Sequence, residues 1–569
     1  MAIYKLTTKY QRDLEKDSAP FADYPRPSMV RDSYTSLNGK WEFGVSKDKD
    51  APVYDSEILL PYPPESALSG LEISVAKDDY MHYRRAVKDY SRAEGERVIL
   101  HFGAIDQEAY IYVNGVIVGE RLGGYIPFEF DITDYIGEGD FVISVVVRDA
   151  LDKKYPYGKQ TDKRHGMWYT PVSGIWQSVW LENVTNEHIC KLKYTQIDNG
   201  VHLSVIGGED HKKIIIDEKW EIEFDGEGVD ILPESPKFWS PEEPNIYTVE
   251  LISGRDKVKS YFAIRKIDIR EMGGVKRICL NGKPYVFNGL LDQGYFPDGL
   301  FLPASSRGYI DDIKTAKALG FNMLRKHIKI EPEIFYYYCD TLGMAVFQDM
   351  INNSDYSFLR DTALPTIGLQ RLGDKRLHRN PESREIFLRT MKETVETLYN
   401  HPSIVYWTIF NEGWGQFDAD SAYDIMKELD SSRIIDATSG WFRRTKSDVD
   451  SRHIYFKALK PKGLDGRPLV ISEFGGYSLR IDGHLFGDDN YGYKLFSTKE
   501  EFEDAIIKLY RDEVLPLARA GACAFVYTQV SDVEDETNGF LTYDREVVKV
   551  DVARVNTAIS ACSGDIFSK

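Results

Sequence analysis

The sequence predicts a multidomain chain of β and α/β units: a β-sandwich or jelly roll at the N-terminal end, an immunoglobulin-like β-sandwich, and a C-terminal (β/α)8 TIM barrel. Three observations predict it. The chain has 569 residues, too many for one hydrophobic core and enough for roughly four domains. Its first part carries short period-two runs broken by tight-turn residues. Its last part alternates short apolar, β-branched runs with stretches of helical spacing, as a parallel barrel requires.

Up to about Val184, the first unit (1–184) reads as strands with few helical stretches. Val98 to Gly103, Ala109 to Val113 and Phe141 to Val147 are the clearest. Asn114-Gly115 stands between Val113 and Val116-Ile117-Val118, the strongest short-range signal for a hairpin. The second unit (185–269) is shorter, with Lys213 to Ile216, Trp220 to Phe224 and Ile246 to Leu251 alternating or running apolar. That length suits a small immunoglobulin-like sandwich, although no Cys…Trp…Cys arrangement marks a true immunoglobulin domain.

After about Arg270 (270–569) the rhythm changes to strand then helix. The expected barrel strands are Tyr285 to Phe287, Asn322 to Arg325, Ala345 to Phe347, Ile404 to Phe410, Arg433 to Asp436, His453 to Tyr455, Leu469 to Ile471 and Cys523 to Tyr527. Helical spacing occupies Ile310 to Leu319 and Arg384 to Tyr399. Eight strands over this span fit a (β/α)8 barrel.

Hydrophobic content of 42% and charged content of 28% supply apolar mass for several cores. The formal net charge of −19 argues against nucleic acid, which needs a basic surface, and against an anionic membrane surface. Cys190, Cys279, Cys339, Cys523 and Cys562 are scattered without a CxxC or a nearby paired His. They read as free thiols of a reducing compartment. Met1 to Tyr10 carries no apolar signal core, and no run is long and apolar enough to span a bilayer. A cytoplasmic location is the expectation.

Two glutamates close buried apolar strands. One ends Ile404-Val405-Tyr406-Trp407-Thr408-Ile409-Phe410-Asn411-Glu412 and the other lies in Pro468-Leu469-Val470-Ile471-Ser472-Glu473-Phe474-Gly475-Gly476. Most of the 90 acidic residues are solvated, but a carboxylate at the carboxyl end of a barrel strand reads as catalytic. A barrel brings both ends to one rim. Two facing carboxylates, one a proton donor and one an ionised nucleophile, are the minimum machinery for cleaving a glycosidic bond with retention. Asn411, beside Glu412, is placed to turn its amide toward a sugar 2-hydroxyl.

At these residues the chain resembles a family. Asn400-His401-Pro402-Ser403 through Asn411-Glu412-Gly413 is similar to the acid/base signature of glycoside hydrolase family 2, which contains β-galactosidases, β-glucuronidases and β-mannosidases. Ser472-Glu473-Phe474-Gly475-Gly476 resembles its nucleophile segment. Ordered matches run along essentially the whole chain: Leu37-Asn38-Gly39-Lys40-Trp41, Glu65 to Gly70, Tyr83-Arg84-Arg85, Val113-Asn114-Gly115, Gly123 to Phe128, Gly174-Ile175-Trp176, Phe238-Trp239-Ser240-Pro241 and Leu280 to Pro284.

The resemblance implies a jelly-roll, sugar-binding-like first domain and a retaining exo-β-glycosidase acting on a small glycoside or oligosaccharide without a cofactor. It implies Glu412 as general acid/base, Glu473 as nucleophile and Asn411 as the 2-hydroxyl partner. Asn322 to His327 is similar to a second-strand motif in which Arg325 supports the glutamates and His327 contacts sugar, the His standing one place from its commonest spacing. His453 and Tyr455 resemble a strand-six pair whose Tyr hydrogen-bonds the nucleophile. Tyr527 on the last strand, with Glu536 and Asn538 beyond it, is also expected at the sugar. In β-glucuronidases an Asn-x-Lys triplet before a Gly grips the uronate carboxylate. Here Glu536-Thr537-Asn538 precedes Gly539, and an acid in that place should repel a carboxylate. A neutral sugar is expected, β-galactosides first. The alternatives are a β-glucuronidase, a β-galacturonidase, a pentose-specific enzyme, or a carbohydrate-binding protein without catalysis. The sugar-binding Asp of relatives has no evident counterpart near Arg164 to Trp168, Asp162 being close. Some relatives bind Mg²⁺ or Na⁺. Asp349 and Asp292 are candidate ligands, but no dense carboxylate or His cluster stands out and none is needed for the mechanism. A homo-oligomer is compatible with all of this.

Overall fold

A computed structural model of the chain describes residues 5–14, 20–364 and 373–566. The first four residues of the stretch Met1 to Tyr10 lie outside them. The N-terminal unit is an antiparallel sandwich. A six-stranded sheet runs in the order Ser56–Leu60, Gly39–Ser46, Tyr80–Tyr90, Gly139–Arg148, Glu108–Val113, Val116–Leu122. A four-stranded sheet, Tyr34–Ser36, Val179–Val184, Arg97–Phe102, Phe128–Asp131, faces it. Alternation decides the facing: Ala109, Ile111 and Val113 enter a core that also holds Trp41, Phe43 and Phe102, while Tyr110 and Tyr112 stay half-buried. The Asn114-Gly115 turn has φ of 50° and 79°, the paired left-handed geometry of a two-residue hairpin, and Val113 pairs with Val116 across it.

The middle unit packs a three-stranded sheet (Ile189–Ile197, Gly200–Gly207, Gly228–Ile231) on a four-stranded one (Trp220–Asp225, His211–Ile216, Tyr247–Ser253, Asp256–Phe262). Leu203, Val205, Ile214, Ile216, Val249 and Leu251 fill the space between them. Arg31 ties this unit to the first. Its guanidinium bonds Glu182 at 2.9 Å and Asp256 at 3.0 Å, all three buried.

Eight parallel strands form the barrel: one, Phe287–Asp292; two, Met323–Lys326; three, Ala345–Asp349; four, Ile404–Asn411; five, Ile434–Ser439; six, Asp450–Ile454; seven, Leu469–Gly475; eight, Ala524–Thr528. Sequence neighbours pair from one to five and from six to eight, and eight pairs with one, so the ladder runs unbroken from five round to six. Between five and six no ladder pairing joins the backbones of the described residues. Side chains bridge that seam: Ser451 Oγ donates to Asp436 at 2.8 Å, and Ser439 Oγ meets His453 Nε2 at 3.0 Å. Strand six therefore begins at Asp450 rather than His453. Its Asp, Ser and Arg residues hide it from an apolar pattern: Ser451 serves the seam, and Arg452 pairs with Asp450 of the same strand. Strand four is buried along its whole length, and Phe347 stacks on Tyr406 at 4.1 Å in the interior. The helix Pro381–Leu398, which lies before it, starts on Asn380, whose side chain accepts from the amides of Glu382 and Ser383, with Pro at the first helical position. Among the described residues no helix is long and apolar enough to cross a membrane.

Candidate active site

The ends of strands two, three, four, six, seven and eight converge on one buried polar cluster. Arg325, from strand two, organises it. One edge of the guanidinium makes a bidentate pair with Asp349 of strand three, at 3.0 Å for each bond. Nη1 donates to Glu473 Oε1 at 3.2 Å and to the Ser472 carbonyl at 2.9 Å, and Nη2 donates to Asn411 Oδ1 at 2.9 Å. Burial disfavours the charge of Arg325, yet Asp349 and Glu473 outweigh it and hold its pKa above the ordinary value. Asp349 likewise pays a burial penalty, but Arg325 and His327 keep its pKa low. The planar fork is what lets one side chain fix residues from three strands.

Glu412 follows directly on strand four at φ 51°, a left-handed conformation uncommon for a side-chain-bearing residue. Its amide donates to the Ser439 carbonyl at 2.8 Å. The next residue must be glycine: Gly413 has φ 77°, and a Cβ there would sit 2.3 Å from the Phe442 ring. The turn lifts the Glu412 carboxylate off the wall. His453 Nδ1 lies 2.9 Å from Glu412 Oε1 and 3.5 Å from Glu473 Oε2. On its other side the ring's Nε2 lies 3.0 Å from Ser439 Oγ, so His453 links the strand-five end to both carboxylates.

Glu473, on strand seven, is held from the other side as well. Tyr455 donates to its Oε2 at 2.7 Å, and Tyr455 and Thr528 hydroxyls meet at 2.8 Å. Burial, then the charge of Glu473, pushes the Tyr455 phenol well above 10, so it stays protonated and donates. Oxygens of Glu412 and Glu473 approach within 4.8 Å of each other, and His453 completes the group. Asn411 Oδ1 accepts from Arg325, which leaves Nδ2 buried with no hydrogen-bond partner among the described residues. A buried unpaired donor is unfavourable until a ligand accepts from it.

The remaining expected residues separate into two groups. His327 Nδ1 bonds Asp349 Oδ2 at 2.9 Å, and burial followed by the nearby Lys159 charge lowers its pKa to about 4. It is therefore a neutral imidazole that donates from Nδ1 and keeps Nε2 as an acceptor. Glu536 is buried. Its Oε2 accepts from Tyr169 at 3.0 Å and from Gln529 at 2.7 Å, and burial raises its pKa against the opposing pull of Lys159. Asn538 accepts from Gln529 at 2.7 Å, and its Nδ2 has no hydrogen-bond partner among the described residues. Tyr527 stands behind the site: its hydroxyl accepts from the Tyr477 amide at 3.3 Å, and its ring covers Gly475, where a Cβ would meet it at 2.3 Å. It backs the strand that carries Glu473 and makes no hydrogen bond to either glutamate.

Other residues complete the pocket. A loop of the N-terminal unit lies on the barrel rim: Tyr169 bonds Glu536, Thr170 N donates to Glu534 at 2.9 Å, and Trp168 packs on Trp414 at 5.4 Å. Tyr493 stacks on Tyr455 at 3.9 Å, and the exposed Phe456 meets its edge at 4.9 Å. Asp162 pairs with Lys77 at the surface. The two candidate metal ligands fit a cation poorly. Both oxygens of Asp349 are taken by Arg325 and His327, and Asp292 pairs with Lys326 at 2.7 Å. The five cysteines are free, with only Cys190 exposed.

Comparison with known proteins agrees with this architecture. Residues 37–184 match the model of the glycosyl hydrolases family 2 sugar binding domain, and residues 273–540 that family's TIM barrel domain. A β-galactosidase of Thermoanaerobacter pseudethanolicus is 28% identical over 387 residues, covering 62% of this chain and 47% of that protein. The chain spans about half the length of most of the curated relatives it matches. In fold it is similar to a β-glucuronidase of an uncultured Clostridium species, with a TM-score of 0.74, 18% identity and coverage of 93% and 98% of the two chains. It is also similar to a β-galacturonidase of Eisenbergiella tayi solved with galacturonate, with a TM-score of 0.70, 18% identity and coverage of 96% and 99%. With both family models matched in order around the two-glutamate cluster, the chain belongs to glycosyl hydrolases family 2.

Proposed function

We propose that the protein is a retaining exo-β-glycosidase working by double displacement. The observation that carries this reading is the approach of the Glu412 and Glu473 oxygens to within 4.8 Å. Retaining enzymes hold their carboxyls about 5–5.5 Å apart, whereas inverting ones leave about 6.5–9.5 Å for a water. Glu473, fixed by Arg325 and Tyr455, attacks the anomeric carbon while Glu412 gives its proton to the departing oxygen. A glycosyl ester on Glu473 results. Glu412, now ionised, takes a proton from water, which attacks the same carbon and releases Glu473. Asn411 Nδ2 donates to the 2-hydroxyl, a bond that strengthens as the ring approaches the oxocarbenium-like transition state. The N-terminal loop is fastened to the rim by the Tyr169–Glu536 bond and the Trp168–Trp414 contact, and a wall in that place would favour a terminal sugar over an internal one.

The finer reading is a neutral glycone, with β-galactosides as first substrates. Two cations near the rim already face acidic groups. Lys326 is held by Asp292 and Glu331, and Arg164 faces Glu534 at 3.7 Å. Glu536 adds an acid to the same pocket. Comparing kcat/KM for 4-nitrophenyl β-galactoside and β-glucuronide tests it. The galactoside should be the better substrate. A better glucuronide overturns the glycone assignment and leaves the two-glutamate mechanism intact.

A further inference from the structure

Five lysines are buried among the described residues: Lys159, Lys212, Lys326, Lys329 and Lys549. Four of them have their ammonium groups capped by oxygens. Lys326 meets Asp292 and Glu331. Lys329 meets Glu331 and the carbonyls of Gly294 and Phe301. Lys549 meets Asp532 and the carbonyls of Leu479 and Thr537. Lys212 meets the carbonyls of Glu209, Asp210 and Gly226. Lys159 is the exception. It is 7% exposed, and no hydrogen bond or ion pair reaches its Nζ among the described residues. Its ammonium instead lies 5.5 Å from the Tyr169 ring and 5.6 Å from the Trp414 ring. Two aromatic faces steer a cation but do not replace its lost hydration.

The position points at the sugar. Trp414 follows Glu412 by two residues and meets the His327 ring at 6.3 Å. Tyr169, the other face of the slot, holds Glu536 by one oxygen only, and Glu536 Oε1 takes no hydrogen bond among the described residues. A free donor and a free acceptor, each the accessible tip of a buried residue, thus stand together beside the catalytic cluster. We propose that Lys159 and Glu536 form a donor–acceptor clamp on hydroxyl groups of a neutral glycone, and that this clamp selects the sugar. The inference rests on the glycosidase reading above and names a residue that reading does not use. A hydroxyl suits both partners, accepting from Lys159 and donating to Glu536. A carboxylate can only accept. It gains Lys159 but faces Glu536, Glu473 and Glu412. The electrostatics agree, since the Lys159 charge acts on both His327 and Glu536.

The test uses the full chain, Lys159→Met and Glu536→Gln, with 4-nitrophenyl β-galactoside, its 3-, 4- and 6-deoxy analogues and 4-nitrophenyl β-galacturonide. For the wild type, at least one deoxy analogue should lose ten-fold or more in kcat/KM. In Lys159→Met the parent should fall ten- to a hundred-fold, and that same analogue should lose less than three-fold further, because the contact is already gone. The variant should melt no lower than wild type, since it replaces an uncapped buried charge with an apolar chain of similar length. Equal, additive losses on every deoxy analogue in both variants overturn the clamp. So does a wild type that prefers the galacturonide and loses that preference in Lys159→Met, which would make the ammonium a carboxylate grip. Labelling by 2,4-dinitrophenyl 2-deoxy-2-fluoro-β-galactoside separates the two failures. A wild type that labels with neither this reagent nor its 2-fluoro-galacturonide counterpart refutes the underlying glycosidase reading, whereas a labelled wild type with additive losses refutes the clamp alone.

Discussion

Removing only the Tyr455 hydroxyl probes the support of the nucleophile without disturbing the fold. The ring in Tyr455→Phe keeps its stack on Tyr493, at 3.9 Å with planes 9° apart. What is lost is one short O–H···O⁻ bond, 2.7 Å to Glu473 Oε2, together with the hydroxyl contact to Thr528 at 2.8 Å, which does not touch the nucleophile. Hydrogen bonds to charged groups contribute about 1.5–3 kcal/mol. The Glu473 charge is present in the free enzyme, absent in the glycosyl ester, and returns during hydrolysis of the ester. The bond therefore assists deglycosylation, where Glu473 is the leaving group. If about half the charge has returned at that transition state, the loss is about 0.75–1.5 kcal/mol, or roughly four- to thirteen-fold in rate. With an activated aryl glycoside, whose first step is fast, kcat should drop by that factor and KM should drop with it as the ester accumulates. kcat/KM should change less. The Tyr455 phenol is pushed well above 10, so the effect should be constant from about pH 6 to 9. Steady-state kinetics with pre-steady-state bursts of 4-nitrophenol read both steps. An unchanged kcat with raised KM would refute the argument, since it would mean that Tyr455 binds sugar rather than holding Glu473.

Two further outcomes follow from the site. Glu412→Gln should lose about 10²–10⁴-fold on glycosides with poor leaving groups and much less in the first step on activated aryl glycosides; equal losses on both, measured by single-turnover kinetics, would contradict the acid/base role. His327 has a folded pKa lowered to about 4 against an ordinary value near 6.5. The unfolded chain therefore binds the extra proton first. Stability from this group is complete above about pH 6.5 and is lost as pH falls toward 4. Melting temperatures of His327→Gln should fall less steeply than wild type over that window, and identical slopes would show that His327 is not the group responsible.

The barrel and its two glutamates were legible because their signal is local. Strand four is apolar along its length and ends on Asn411-Glu412-Gly413, and strand seven repeats the pattern around Glu473. The fold dictates such runs wherever a parallel strand is buried on both faces. Strand six was displaced by three residues because its work is polar: Ser451 and His453 bridge a seam that the backbone ladder leaves open. Asp349 looked like a metal ligand from its placement alone, and only the geometry shows both its oxygens committed to Arg325 and His327. Lys159 was missed for a different reason. It lies in a loop of the N-terminal unit, in Tyr157-Gly158-Lys159-Gln160, where nothing in spacing or composition marks it. Its importance arises when that loop docks on the barrel rim, a long-range event no local pattern encodes. Tyr527 was expected at the sugar, whereas its ring covers Gly475 and its hydroxyl accepts from the Tyr477 amide, contacts that no reading of the last strand alone supplies.

The most direct test of the account is the identity of the residue that carries the glycosyl group. The wild-type protein is incubated with an activated 2-deoxy-2-fluoro-β-galactoside, digested and mapped by mass spectrometry, with the anomer first released from an ordinary substrate followed by NMR. The account predicts one label on Glu473 and a β-configured first product. A label on another residue, or an α-configured first product, would contradict it.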